Sequence, residues 1–176
     1  MKIFPDSEKT RVIFVSSAEE SLYENSRKQL SENWRVYYSC SLSEFEGEEG
    51  LRDNEIDFVF YHPDYGIFVA EVKGGRIKFD AQKQKFSSLN RHGEIFSIKD
   101  PFKQVLVWKS RFLRFLKKNG IRVPVSHLVC FPGAHAKEFP KSAAMNPAII
   151  LDREGMDQLE EFLIRLARSS HPEHFF

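Results

Sequence analysis

Cysteine is scarce. Cys40 and Cys130 are the only two in 176 residues, and they form neither a zinc-ligand spacing nor a disulfide framework, so a reducing cytoplasm is the expected setting. Long hydrophobic runs are missing as well, and the N-terminal MKIFPDSEKT turns polar at once, which predicts neither a membrane span nor a secretory leader. The chain has no GxxxxGK[ST] phosphate loop and is therefore not itself an ATPase of that kind. It also lacks an excess of charge. With 26 Lys and Arg against 25 Asp and Glu, the net charge is +1, so any nucleic-acid surface must be local. There is no internal repeat and no low-complexity tract.

What is present is an ordinary globular composition, 41% hydrophobic and 29% charged, in a length that suits one domain with a real core. The informative stretch is EIDFVFYHPDYGIFVAEVKGG, from Glu55 to Gly75. Ile56 to Tyr61 and Ile67 to Val72 are apolar runs rich in β-branched and aromatic residues, and the His62 to Gly66 segment between them carries a turn's Pro and Gly. This predicts a hairpin. Pairing Tyr61 with Ile67 continues as Val59 with Val69, Asp57 with Glu71 and Glu55 with Lys73. Two carboxylates then face each other, and like charges so placed repel unless a cation lies between them. Glu71 and Lys73 are two residues apart and share a face, so the ammonium joins the pair. The plainer alternatives are a Lys73–Glu55 cross-strand ion pair and a solvated strand end for Asp57 and Glu71.

Around the hairpin the pattern is mixed. Ser16 or Ser17 caps a helix over about 18–30, a strand follows at 34–38, and the acidic segment 41–54 reads as a loop close to the proposed site. Short strands are expected at 76–80, 85–89 and 94–98. Asp100 and Pro101 open a helix that runs to about Lys118 and stops at Asn119-Gly120. Its core stripe is expected to hold Phe102, Val105, Leu106, Phe112, Leu113 and Leu116. Its other side carries Lys103, Lys109, Arg111, Arg114, Lys117 and Lys118, with no acid after Asp100. This face has two readings, a solvated helix surface or a cationic grip on the DNA backbone. A strand at 125–131, a loop at 132–146, a strand at 148–151 and an amphipathic helix at 154–168 complete the chain. The run Val12 to Val15 is expected to form an arm or an edge strand. The order predicts a mixed α/β sheet covered by helices.

Asp57 followed by Glu71-Val72-Lys73 resembles the signature of the PD-(D/E)XK nuclease superfamily. The wider string, with KDPFKQ at Lys99 to Gln104 and VPVSHLVCFPG at Val123 to Gly133, resembles the nuclease-related domain, NERD, over about Ser17 to Arg168. The likeness is nearest to modules preceding bacterial superfamily 1 DNA helicases. It implies a restriction-endonuclease-like fold, with an arm over 1–17, the domain over 18–170, and a tail over 171–176 readable as the start of a linker to a helicase. It also implies DNA as substrate, a fused or separate superfamily 1 helicase as partner, and a role in DNA processing or repair.

Phosphodiester hydrolysis needs an activated water and neutralisation of charge on the phosphoryl oxygens, and a hard divalent ion held by carboxylates supplies both. Mg²⁺ or Mn²⁺ is the expected cofactor. Asp57 and Glu71 are the expected ligands with the Val72 carbonyl as a third, and Lys73 is expected to stabilise the transition state or the attacking hydroxide. Gly74 and Gly75 are expected to leave the backbone bare for a phosphate strand. The resemblance adds Glu19, either a further ligand or the partner of Ser16 in a capping box, with Glu20 as fallback. It also adds Gln104, facing the active site or simply exposed. His171 and His174 are spaced to share a helical face, but their terminal, proline-containing setting favours no metal. The remaining histidines, His62, His92, His127 and His135, have no partner spacing and read as structural or exposed. Three functions follow in order: a metal-dependent deoxyribonuclease, a DNA-binding module that positions a helicase, and a binding fold with a vestigial site.

Overall fold

The computed structural model describes residues 1–41 and 55–175. The expected acidic loop therefore lies, apart from Ser41, outside the described residues. A six-stranded mixed sheet runs in the order β1 (Lys2–Phe4), β2 (Arg35–Ser41), β3 (Glu55–His62), β4 (Gly66–Val72), β8 (Val125–Phe131), β9 (Ile150–Asp152). A separate antiparallel sheet holds β5 (Arg76–Asp80), β6 (Lys85–Leu89) and β7 (Ile95–Ile98). Helices α1 (Ser17–Gln29) and α3 (Leu159–Ser170) cover one face of the large sheet, and α2 (Pro101–Lys118) covers the other. This is the restriction-endonuclease-like, mixed α/β architecture that the resemblance implies.

Strand β4 organises both cores because it lies between β3 and β8 and every one of its residues is buried. Phe68, Ala70 and Val72 join the α1/α3 core, while Ile67 and Val69 join the core under α2. Period-two alternation carries the second series on to Glu71, so a carboxylate occupies the position where an apolar side chain would continue the core.

The hairpin register matches the expectation at Tyr61–Ile67 and Val59–Val69, and pairing extends to His62–Gly66. The connection is thus tighter than the sequence suggested, with Gly66 at φ +84° closing it. A Cβ at Gly66 would also meet the Pro124 carbonyl oxygen at 2.4 Å, so no other residue fits.

Some boundaries move. The N-terminal edge strand is Lys2–Phe4, parallel to β2, rather than Val12 to Val15, where Ile13 and Val15 are exposed and Phe14 packs on the core. Pro147–Ile149 is a 3₁₀ turn ahead of β9, and Gly155–Gln158 is another ahead of α3. The Gly155 amide there donates to Asp152 Oδ1 at 2.9 Å. The α2 stripe is narrower than predicted. Leu106 and Leu113 are 47% and 42% exposed, and Trp108 fills the core position instead. At the C-terminus, the Phe175 ring lies 5.9 Å from that of Tyr65.

Candidate active site

The ladder between β3 and β4 ends at Phe58–Ala70. One residue further on, Asp57 replaces backbone pairing with its side chain, and Oδ2 accepts the Val72 amide at 2.6 Å. In an antiparallel strand the amide and carbonyl of one residue point to the same neighbour, so the Val72 carbonyl also faces the Asp57 side. The expected backbone pairing of Asp57 with Glu71 does not form, yet Asp57 lies close enough to feel the Glu71 charge. Burial first, and the Glu71 charge second, push the Asp57 carboxyl up to about 7. Burial also raises Glu71, opposed by Lys73. The two carboxylates predicted from the hairpin are therefore brought near each other, and the Glu71 charge disfavours ionisation of Asp57.

Lys73 Nζ lies 2.6 Å from Glu71 Oε1. The alternative Lys73–Glu55 pair is not what forms, because Glu55 accepts from Ser39 at the far edge of β3. Glu19 takes up its capping role. Its amide donates to Ser16 Oγ at 3.2 Å, and its carboxylate accepts from Ser16 Oγ at 3.0 Å and from the Tyr38 hydroxyl at 2.7 Å. Yet it is buried, and its charge reaches both Asp57 and Glu71. Its carboxylate thus caps α1 and bonds to Tyr38 while lying close enough to act on both members of the pair. Glu20 is exposed.

Trp108 is the residue that sequence reasoning missed. It sits under the edge of β4 as a hydrogen-bond donor to the Glu71 carboxylate, which lowers that group's pKa against the effect of burial. A tryptophan in an apolar helical stripe reads as core. The available signal was the spacing of Gln104, Trp108 and Arg111 at i, i+4 and i+7, which aligns them on one face. The Arg111 guanidinium lies over the Trp108 ring at 5.2 Å. Lys99, Asp100, Lys103, Gln104, Val107, Trp108 and Arg111 line a groove of about 430 Å³. Gln104 Oε1 is buried and lacks a hydrogen-bond partner. Gln104 is thus turned inward beside the site, not left as an exposed helical glutamine.

Two expectations need correction. Lys109 does not stand with Lys103, Arg114 and Lys117, which are exposed. It is half-buried on the opposite flank of α2, 3.4 Å from His127 Nδ1, and loss of hydration lowers its pKa. His127 is in turn pushed down to about 4 by burial and by Lys109. The two glycines do not clear a path for phosphate either. A Cβ on Gly75, at φ +80°, would meet Ser88 Oγ at 2.3 Å and the Leu89 carbonyl oxygen at 2.8 Å, while one on Gly74 would meet Ala18 at 3.3 Å. They are small because β6 and α1 pack against them.

Among the described residues no three His, Cys, Asp or Glu side chains converge to hold a metal ion. The donor set at the strand end is two carboxylates and a backbone carbonyl, all oxygen. That set suits a hard ion that keeps several of its waters, and the mutual repulsion of Asp57 and Glu71 is what such an ion would relieve. The residues fit.

The sequence of residues 16–132 matches the model of the nuclease-related domain, NERD. This covers well over half of the chain. It belongs to the NERD family. No curated protein and no solved structure matches it. The matched span of this NERD chain takes in Asp57, Glu71, Lys73, Gln104 and Trp108, and it ends just past β8. No helix among the described residues is long and apolar enough to cross a membrane.

Proposed function

We propose that this protein is a metal-dependent nuclease that hydrolyses DNA phosphodiester bonds at the Asp57–Glu71–Lys73 cluster. One observation carries the reading: in a NERD chain, burial and the neighbouring Glu71 charge raise the pKa of the half-buried Asp57, while Glu71, buried at the end of the central strand, pairs with the Lys73 ammonium. Mg²⁺ or Mn²⁺ would be held by Asp57, Glu71 and the Val72 carbonyl, and it would supply Lewis-acid charge neutralisation and a more acidic water. The Val72 amide fixes Asp57, and Trp108 fixes Glu71 from the other side. Lys73, paired with Glu71, would place its charge beside a non-bridging phosphate oxygen bound at the pair, where it offsets what develops in the transition state. Lys103 and Arg111 would offer cations to a strand lying in the groove.

The test is a panel of single-stranded, nicked, branched and duplex DNA, with RNA alongside, incubated with each divalent ion and compared with Glu71→Ala. Metal-dependent cutting lost in the variant supports the reading. No cutting on any substrate, together with metal affinity unchanged in Asp57→Ala, defeats it.

One observation favours a second reading. Among the described residues no third carboxylate joins Asp57 and Glu71, and Glu19 is engaged by Tyr38. A weakly catalytic DNA-binding module that positions a superfamily 1 helicase would show salt-dependent binding that survives Lys73→Ala, without turnover.

A further inference from the structure

The small sheet β5–β6–β7 has one face in the core and one in water. Ile77, Phe79 and Phe86 pack with α2 through Phe102. The other face is built of cross-strand rows that follow from the register: Arg76, Leu89 and Ile95; then Lys78, Ser87 and Ser97; then Asp80 with Lys85. Arg76, Lys78, Lys85, Ile95 and Ser97 are all exposed.

Charge is unevenly distributed. Residues 76–99 contain six Lys and Arg and two Asp and Glu, in a chain whose total is +1, so the remainder is acidic in balance. Among the described residues the only acid on the open face is Asp80. Its carboxylate is already occupied by the Gln82 and Lys83 amides at 3.0 Å and by Lys83 Nζ at 3.8 Å. Arg76, Lys78 and Lys85 have no acidic partner among the described residues. Arg76 and Lys78 are neighbours along one strand face, and Lys78 and Lys85 are diagonal across two strands, which spaces the cations by about 7–8 Å. That is comparable with the separation of neighbouring phosphates along a nucleic-acid strand. Ser87 and Ser97 put hydroxyl donors between them, and Leu89 with Ile95 offers an apolar strip for sugars or base faces.

Position completes the case. Arg76 is three residues from Lys73, so its Cα lies within about 11 Å of the catalytic lysine's. The sheet is also keyed in place. Ser88 Oγ donates to the Gly74 carbonyl at 2.7 Å, and the Gly75 carbonyl lies where a Cβ on Gly133 would fall.

We propose that the open face of the β5–β6–β7 sheet is a second nucleic-acid contact surface, on which Arg76, Lys78 and Lys85 take the phosphates of the strand running away from the cut. The proposal rests on the nuclease reading for the identity of the polyanion, but it is tested by binding alone.

Binding of labelled single-stranded and duplex DNA is measured across a salt series in the Glu71→Gln background, where no cleavage intervenes. Adding Lys78→Glu and Lys85→Glu weakens binding at least tenfold and flattens the salt dependence by about 1.5 units of log K per log salt. A control with Lys137→Glu and Lys141→Glu, two exposed lysines elsewhere, changes the net charge equally and leaves binding within twofold. Thermal melts verify that all variants are folded. Unchanged affinity and slope in the sheet variant overturn the proposal, as does an equal loss in the control. Attachment to anionic lipid vesicles instead of DNA also overturns it. If the sheet variant loses binding while the wild-type protein cuts nothing, the surface stands and the nuclease reading falls.

Discussion

Asp57 Oδ2 accepts the Val72 amide at 2.6 Å, so one member of the carboxylate pair is tied to the backbone of the strand that carries the other. The tie holds the half-buried Asp57 carboxyl close to the buried Glu71. Its cost should be visible as stability.

The Asp57 carboxyl is raised from its ordinary 3.8 to about 7. Between those values the folded state holds a proton that the unfolded state has lost, so without metal this group's contribution falls as pH climbs from about 4 to about 7. Asp57→Asn keeps an oxygen for the Val72 amide and removes the charge. It is expected to melt several degrees higher than the wild type at pH 8 in chelator, with little difference at pH 4, and to abolish cleavage. Equal melting temperatures at pH 8 would mean that the pair is not strained.

Divalent ions should reverse the same strain. Saturating Mg²⁺ or Mn²⁺ at pH 8 is expected to raise the wild-type melting temperature, by mass action on the folded state, and EDTA should return it. Glu71→Gln should show no such rise. A metal-induced shift that persists in that variant would place the ion elsewhere.

Trp108→Phe retains most of the buried ring but removes the indole donor to Glu71. The expected result is a stability loss of about 1–2 kcal/mol in urea titrations and a cleavage rate lowered by about tenfold. The groove would remain able to bind DNA. If the rate is unchanged while stability drops, Trp108 is packing only.

His127 has the opposite pH signature from Asp57. Its pKa is lowered to about 4, so between about 6.5 and 4 the unfolded state binds a proton that the folded state refuses, and stability is lost as pH falls through that window. His127→Gln should remove this acid sensitivity. Lys109→Met, relieving the half-buried amine beside it, should do so in part and leave DNA affinity within twofold, unlike Lys103→Glu. A large affinity loss in Lys109→Met would return that lysine to the DNA-binding face.

The Glu19 carboxylate is held by the Tyr38 hydroxyl and Ser16. Tyr38→Phe leaves a buried carboxylate oxygen without its donor, at a cost of about 1–3 kcal/mol. If Tyr38→Phe instead tightens metal binding, the freed Glu19 is acting as the third carboxylate.

Much of this site was legible because β-hairpin chemistry is local. A Pro- and Gly-bearing connection between alternating strands fixed the pairing of Tyr61 with Ile67, and from there Asp57 came close to Glu71, although the ladder itself stops at Phe58 and Ala70 and Asp57 bonds to Val72 instead. What was not legible depended on the third dimension. Lys109 and Arg114 look alike in sequence, and only the seat of α2 on β4 and β8 turns one towards His127 and the other to water. Leu106 and Leu113 fit an apolar period, but the stripe in contact with the sheet centres on Val105, Trp108 and Phe112. Gly75 suggested an opening for ligand, because the sequence does not say that β6 will occupy that space.

Strand β4 is enclosed on both faces and hydrogen-bonded on both edges, and the Glu71 and Val72 of the site are its last two residues. In most enzymes the catalytic groups ride on segments that can open while the rest stays closed. Here the candidate groups are among the last to become accessible, so the amides of β4 should exchange with solvent only through global unfolding. Loss of activity and loss of the fold in denaturant should then trace one curve, which makes cleavage a direct report on how much of the protein is folded.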